Sequence, residues 1–94
     1  MARKFYITTP IYYPSAKLHI GHAYCTTLAD SIARYHRIIG DETYFLTGTD
    51  EHGEKIQKNA EAKNMAPQKF VDEIVEGIQK LWKTLRISND DYIR

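Results

Sequence analysis

Two histidines three residues apart, His19 and His22, flank Ile20-Gly21 at the point where a loop rich in proline and tyrosine gives way to a helical pattern. Imidazoles at the amino terminus of a helix share space with the unpaired backbone N–H groups of its first turn, an arrangement that favours an anion and phosphate above all. Gly21 has no side chain and lets a flat ligand approach the backbone. Transfer of a nucleotidyl group concentrates negative charge on the transferring phosphate and the departing pyrophosphate. Positioned donors at this spot would therefore stabilise the transition state without covalent chemistry. Lys17, two residues upstream, either adds charge to the same pocket or stays solvated. By spacing alone the pair equally suits a surface couple or two ligands of a metal ion. A metal needs more ligands, however, and of the two remaining histidines, His36 and His52, the first lies roughly three to four turns further along the same helix.

A second constellation, Asp50-Glu51-His52-Gly53, supplies two carboxylates, an imidazole and a permissive glycine. One carboxylate would hold an ammonium group; alternatively, Asp50 accepts backbone N–H bonds and caps the start of a helix. Asp30 and Arg34 stand i, i+4 and are expected to form a solvated pair worth a few tenths of a kcal/mol, with no catalytic role.

These groups need elements to hold them. Lys4 to Thr9 is a short aromatic and β-branched run stopped by Pro10 and reads as a strand. From about Gly21, Tyr24, Leu28, Ile32, Tyr35 and Ile39 recur at intervals of four or three, the spacing of one helix face, and Gly40 stands where a left-handed cap would end the helix. Thr43 to Thr47 is a second strand. Strand, helix, strand predicts a βαβ unit with parallel strands, and ligands of such sheets sit beyond the carboxyl ends of the strands, here at Pro10 to His22 and Gly48 to Gly53. Both polar motifs fall there. Glu54 to Lys63 predicts a largely exposed connector helix. Pro67 suits the first turn of another, whose wide stripe of Phe70, Val71, Ile74, Val75, Ile78, Leu81, Trp82 and Leu85 must dock on something. Ser88-Asn89-Asp90-Asp91 reads as a turn. The expected fold class is thus α/β, the first βαβ portion of a Rossmann-type parallel sheet followed by two helices. With two strands, both sheet edges stay unpaired, and together with the broad apolar helix face they predict either a piece of a longer protein or self-association.

The 94 residues carry 43% hydrophobic and 27% charged side chains and a formal net charge of +1, a globular composition without the basic excess of a dedicated nucleic-acid-binding domain. No apolar run is long enough for a membrane span and the amino terminus lacks the features of a signal peptide, so the expected location is cytoplasmic. Cys25 is the only cysteine, which excludes an internal disulfide or a multi-cysteine zinc site and reads as a half-buried helix residue.

Pro10-Ile11-Tyr12-Tyr13-Pro14-Ser15-Ala16-Lys17-Leu18-His19-Ile20-Gly21-His22 resembles the first signature of class I aminoacyl-tRNA synthetases, and Thr47-Gly48-Thr49-Asp50-Glu51-His52-Gly53 resembles the second-strand segment of their methionine-specific branch. The leucine and valine branches are similar around the first motif but lack Asp-Glu-His-Gly. The resemblance covers essentially the whole chain. It implies that ATP and L-methionine condense to methionyl-adenylate and pyrophosphate, and that methionine then passes to tRNA(Met). It also implies that His19 and His22 contact the ATP phosphates, that Gly21 lies against the adenine, that Ile11 and Tyr13 line the methionine side-chain pocket, and that Asp50 pairs with the α-ammonium. Mg2+ would accompany ATP, and a structural zinc would belong to a connective insertion outside these residues. The Lys-Met-Ser-Lys-Ser-type loop, that insertion and the anticodon-binding domain do not occur in this sequence. The segment is accordingly expected to be the amino-terminal part of the catalytic domain and to lack normal catalysis by itself. Two other readings are a small adenylyltransferase of the wider histidine-motif superfamily and a non-catalytic, synthetase-like interaction module.

Overall fold

A computed structural model describes residues 2–14 and 19–94. Strand β1 (Lys4–Thr8), helix α1 (Ile20–Ile38) and strand β2 (Glu42–Gly48) form the predicted βαβ unit. Its strands run parallel, in register from Lys4 opposite Glu42 to Thr8 opposite Leu46. Gly40 takes φ +91° directly after α1. The N–H of Gly40 bonds to the carbonyl of Arg37 and that of Asp41 to the carbonyl of His36, the paired bonds that close a helix through a left-handed residue.

Helix α2 (Glu54–Ala62) and helix α3 (Pro67–Thr84) follow. The apolar stripe of α3 finds its dock inside the chain. Phe70, Val71 and Val75 pack with Ile56 and Ala60 of α2, while Ile78 and Trp82 pack with Tyr12. The broad helix face expected to invite association is therefore internal.

Two expectations change here. The chain forms a third strand, β3 (Asp91–Ile93), parallel to β2 with Leu46 opposite Asp91 and Gly48 opposite Ile93. The sheet order is β1-β2-β3, and β2 is central rather than an edge. Three residues that begin with Asp carry no readable strand pattern. Pairing is imposed from outside, because the Asp90 carboxylate accepts the N–H of Phe45 at 2.7 Å and the Asp90 N–H returns a bond to the Phe45 carbonyl at 2.7 Å.

The second change concerns α1. Its regular apolar positions face outward, with Tyr24 72% and Leu28 51% exposed. The face laid on the sheet is Thr26, Ala29, Asp30 and Ala33, and the two alanines let the helix approach Phe45 closely. Asp30, expected to be solvated, is instead buried. It accepts bonds from the Ser88 N–H (2.7 Å) and Ser88 hydroxyl (2.5 Å) as well as from Arg34 Nε (2.9 Å). Arg37 reaches the same connection, donating to Ser88 Oγ, the Ser88 carbonyl and Asp90. The segment between α3 and β3 is thereby fastened to α1.

Candidate active site

The described chain resumes at His19, which caps α1. His19 Nδ1 accepts the N–H of Gly21 at 3.0 Å, and His22 Nδ1 accepts the N–H of His19 at 3.1 Å. This is a reciprocal capping box built from imidazoles, where Ser or Thr and Glu commonly serve. It has a chemical consequence. A ring nitrogen that accepts a backbone N–H carries no proton, so in the neutral rings both protons sit on Nε2 and both Nε2–H groups are left to donate elsewhere. The rings stand 4.1 Å apart between centroids. Burial, then the neighbouring His19, holds the His22 pKa below its usual 6.5. That agrees with a ring whose lone pair is committed to the cap. Gly21 has a local role besides the open approach inferred from sequence, since a Cβ there would lie 2.7 Å from His19 Cε1 and displace the capping ring.

Beyond β1 the chain keeps alongside β2. The N–H of Tyr12 bonds to the Gly48 carbonyl at 3.2 Å, and the Tyr12 carbonyl accepts the N–H of Asp50 at 2.9 Å. The same tyrosine is buried, with its ring 4.8 Å from that of His22 and its hydroxyl 2.8 Å from Thr26 Oγ1. Burial pushes the Tyr12 phenol upward, with the Thr26 bond opposing, so it stays protonated at neutral pH. Tyr12 thus joins the two motifs, through its backbone to Asp50 and through its ring to His22. Sequence reasoning passed over it in favour of its neighbours. The alternation Ile11-Tyr12-Tyr13 beside a strand was the available signal, because the middle side chain must face opposite to the other two.

The remaining candidates fall as follows. Asp50 is exposed, and its carboxylate has no partner among the described residues. It does not cap α2, whose cap is Gly53, without any side-chain bond. Ile11 is half exposed, whereas Tyr13 packs on the α2–α3 cluster with its hydroxyl against Gly53, at φ +138°. Lys17 lies outside the described residues. His52 is exposed beside a cavity of about 670 Å³ that Glu51, Gln68 and Arg94 also line. His36 is remote from the cap, stacked on Phe5 at 3.5 Å and bonded to Asp41 at 2.6 Å. Among the described residues no group of three or more His, Cys, Asp or Glu side chains is placed to hold a metal ion. No helix is long and apolar enough to cross a membrane.

The family model for class I tRNA synthetases (M) matches residues 5–94. The chain is 64% identical over 92 residues to a methionine–tRNA ligase of Halalkalibacterium halodurans, covering 98% of this chain and 14% of that protein. It is likewise 64% identical over 90 residues to a methionine–tRNA ligase of Bacillus subtilis, covering 96% of this chain and 14% of that protein. It therefore spans about 14% of the length of these curated relatives. Among solved structures, Mycobacterium tuberculosis methionyl-tRNA synthetase in complex with methionyl-adenylate superposes with a TM-score of 0.96 at 39% identity, over 98% of this chain and 18% of that one.

Proposed function

Since this chain belongs to the class I tRNA synthetase family, we propose that the protein containing it is a methionine–tRNA ligase, to which these residues contribute the first part of the ATP and methionine site. In this reaction a methionine carboxylate oxygen attacks the α-phosphorus of ATP, and the bond to the bridging oxygen of pyrophosphate breaks. A terminal ribose hydroxyl of tRNA(Met) then takes the methionyl group and AMP departs. The observation that carries the proposal is the imidazole capping box. It leaves the Nε2–H of two adjacent imidazoles, their centroids 4.1 Å apart, as donors at the amino terminus of α1, which suits an anion that gains charge as pyrophosphate leaves.

In this reading His19 and His22 donate to the phosphates, Gly21 admits the adenine, and Lys17 adds positive charge. Asp50, exposed and uncommitted, receives the α-ammonium, and Ile11 and Tyr13 border the thioether chain. Mg2+ arrives with ATP as a charge-neutralising ion. A structural zinc, the tRNA contacts and the second catalytic loop are assigned to other parts of the protein, which is taken to act in the cytoplasm. The isolated chain is proposed to bind ATP weakly and to self-associate through the edges of its sheet and the outward stripe of α1.

The test is ATP–pyrophosphate exchange by the full-length protein. His19→Asn and His22→Asn should each lower kcat by about a hundredfold, and Asp50→Asn should raise KM for methionine more than KM for ATP. Full exchange activity in all three variants would remove the basis of the assignment, as would full-rate exchange by residues 1–94 alone. Dimers seen by light scattering, with no nucleotide-dependent rise in melting temperature, would favour the interaction-module reading instead.

A further inference from the structure

Next to Asp50 stands a polar cluster that the proposed reaction leaves unused. Arg94 bonds to Glu51 through Nε at 3.1 and 3.0 Å and through a terminal nitrogen at 2.7 Å, and the same nitrogen reaches Asp72 at 2.6 Å. Glu51 also accepts the Thr49 hydroxyl at 2.7 Å, and Thr49 accepts the Tyr92 hydroxyl at 3.3 Å. The backbone is tied as well, with the Thr49 N–H on the Ile93 carbonyl and the Asp50 N–H on the Tyr12 carbonyl. Thr49 and Glu51, on either side of Asp50, are consequently anchored to β3 and α3, and the intervening side chain is excluded from the network.

We infer that Arg94 is a positioning residue for methionine. By gripping Glu51 in two-pronged fashion it holds the Thr49-Asp50-Glu51 segment so that the Asp50 carboxylate stays unpaired and aimed at the incoming ammonium. Two features support this. Among the described residues Asp50 is the member of the Asp-Glu pair left without a cation, while its neighbour Glu51 engages one. The clamp also spans three elements, the end of β2, the end of β3 and the first turns of α3, so it ties the carboxylate to the frame of the fold rather than to its own loop. A guanidinium is the group suited to this task, since its planar fork bonds both carboxylate oxygens and a lysine offers only a point charge.

The inference rests on the proposed function, and the experiment separates the two. In the full-length protein, Arg94→Ala should raise KM for methionine about tenfold while leaving KM for ATP within about twofold. Arg94→Lys should restore only part of the loss. Asp50→Asn serves as the reference. If Asp50→Asn impairs methionine use but Arg94→Ala moves both KM values together, or neither, the positioning role is wrong and the function stands. If Asp50→Asn itself has no effect, the site reading fails first. A melting temperature for Arg94→Ala equal to that of the parent, with the methionine-selective loss intact, rules out a purely structural explanation. A melting temperature lowered alongside uniform loss of both substrates overturns the inference.

Discussion

Replacing Asp30 is the most demanding test of the packing. Its carboxylate accepts three bonds, two from Ser88 and one from Arg34. Hydrogen bonds to a charged group contribute about 1.5–3 kcal/mol each, so a simple sum would be about 4.5–9 kcal/mol. Two considerations reduce it. The Arg34 side chain is half exposed and regains water when its partner is lost, and removing the carboxylate also removes its own desolvation penalty. We expect Asp30→Ala to cost about 3 kcal/mol and Asp30→Asn, which keeps an acceptor for the Ser88 N–H, about 1.5 kcal/mol. Either is a large share of the roughly 5–14 kcal/mol available to a chain of this size. The dependence on pH has a definite sign. Burial raises the Asp30 pKa, but the Ser88 bonds and then Arg34 more than offset it, so the carboxyl lies below its ordinary 3.8 in the folded chain. Its contribution is full at neutral pH and disappears as pH falls from about 4 through the lower folded value. Urea unfolding, followed by the fluorescence of the single and buried Trp82, should show the gap between parent and Asp30→Asn at pH 7 narrowing below pH ~4. Glu51 and Asp72 are depressed too and weaken both proteins in acid, but they cancel in the difference. A gap below about 0.5 kcal/mol at pH 7, or one that ignores pH, would refute the reasoning.

Other outcomes follow from single positions. Gly48→Ala places a Cβ against the backbone oxygen of Ile93, which cannot rotate away, so β3 should detach. Loss of the hydrogen-exchange protection that the Ile93 carbonyl confers on the Thr49 amide reads this out. Gly21→Ala should displace the His19 ring and weaken ATP binding measured by calorimetry, without changing the unfolding free energy by more than about 1 kcal/mol. His22, held below 6.5 by burial and by His19, should titrate low by NMR and move upward when ATP is added, because phosphate favours the charged ring. Without ligand its depressed value makes the folded chain lose stability as pH falls through about 6.5, where the unfolded chain takes up the proton first. Leu28→Gln on the outward face of α1 should change stability by less than about 0.5 kcal/mol, whereas Ala33→Leu, where there is no free surface, should cost about 1–3 kcal/mol.

The local features were legible in the amino acids. Aromatic and β-branched runs marked β1 and β2, Gly40 marked the end of α1, and Pro67 with a wide apolar stripe marked α3. Each is a property of consecutive residues, and the strand–helix–strand order then brought His19, His22 and Asp50 to the same end of the sheet. The motifs were readable for the same reason, since a capping turn and a strand end are short and contiguous.

What only the tertiary structure decided is everything set by partners far along the chain. The stripe on α1 has helical spacing whichever way it faces. It faces outward because the sheet accepts Ala29 and Ala33 at close range and because Ser88, 58 residues from Asp30, supplies the bonds that let a carboxylate be buried. Strand β3 has too few residues to announce itself and exists through its bonds to β2 and the Asp90 clasp. Tyr12 links the histidines to Asp50 only after the loop has zipped along β2. Periodicity records which residues share a face, but burial is a competition among faces, and the winner depends on groups that meet only when the chain has folded.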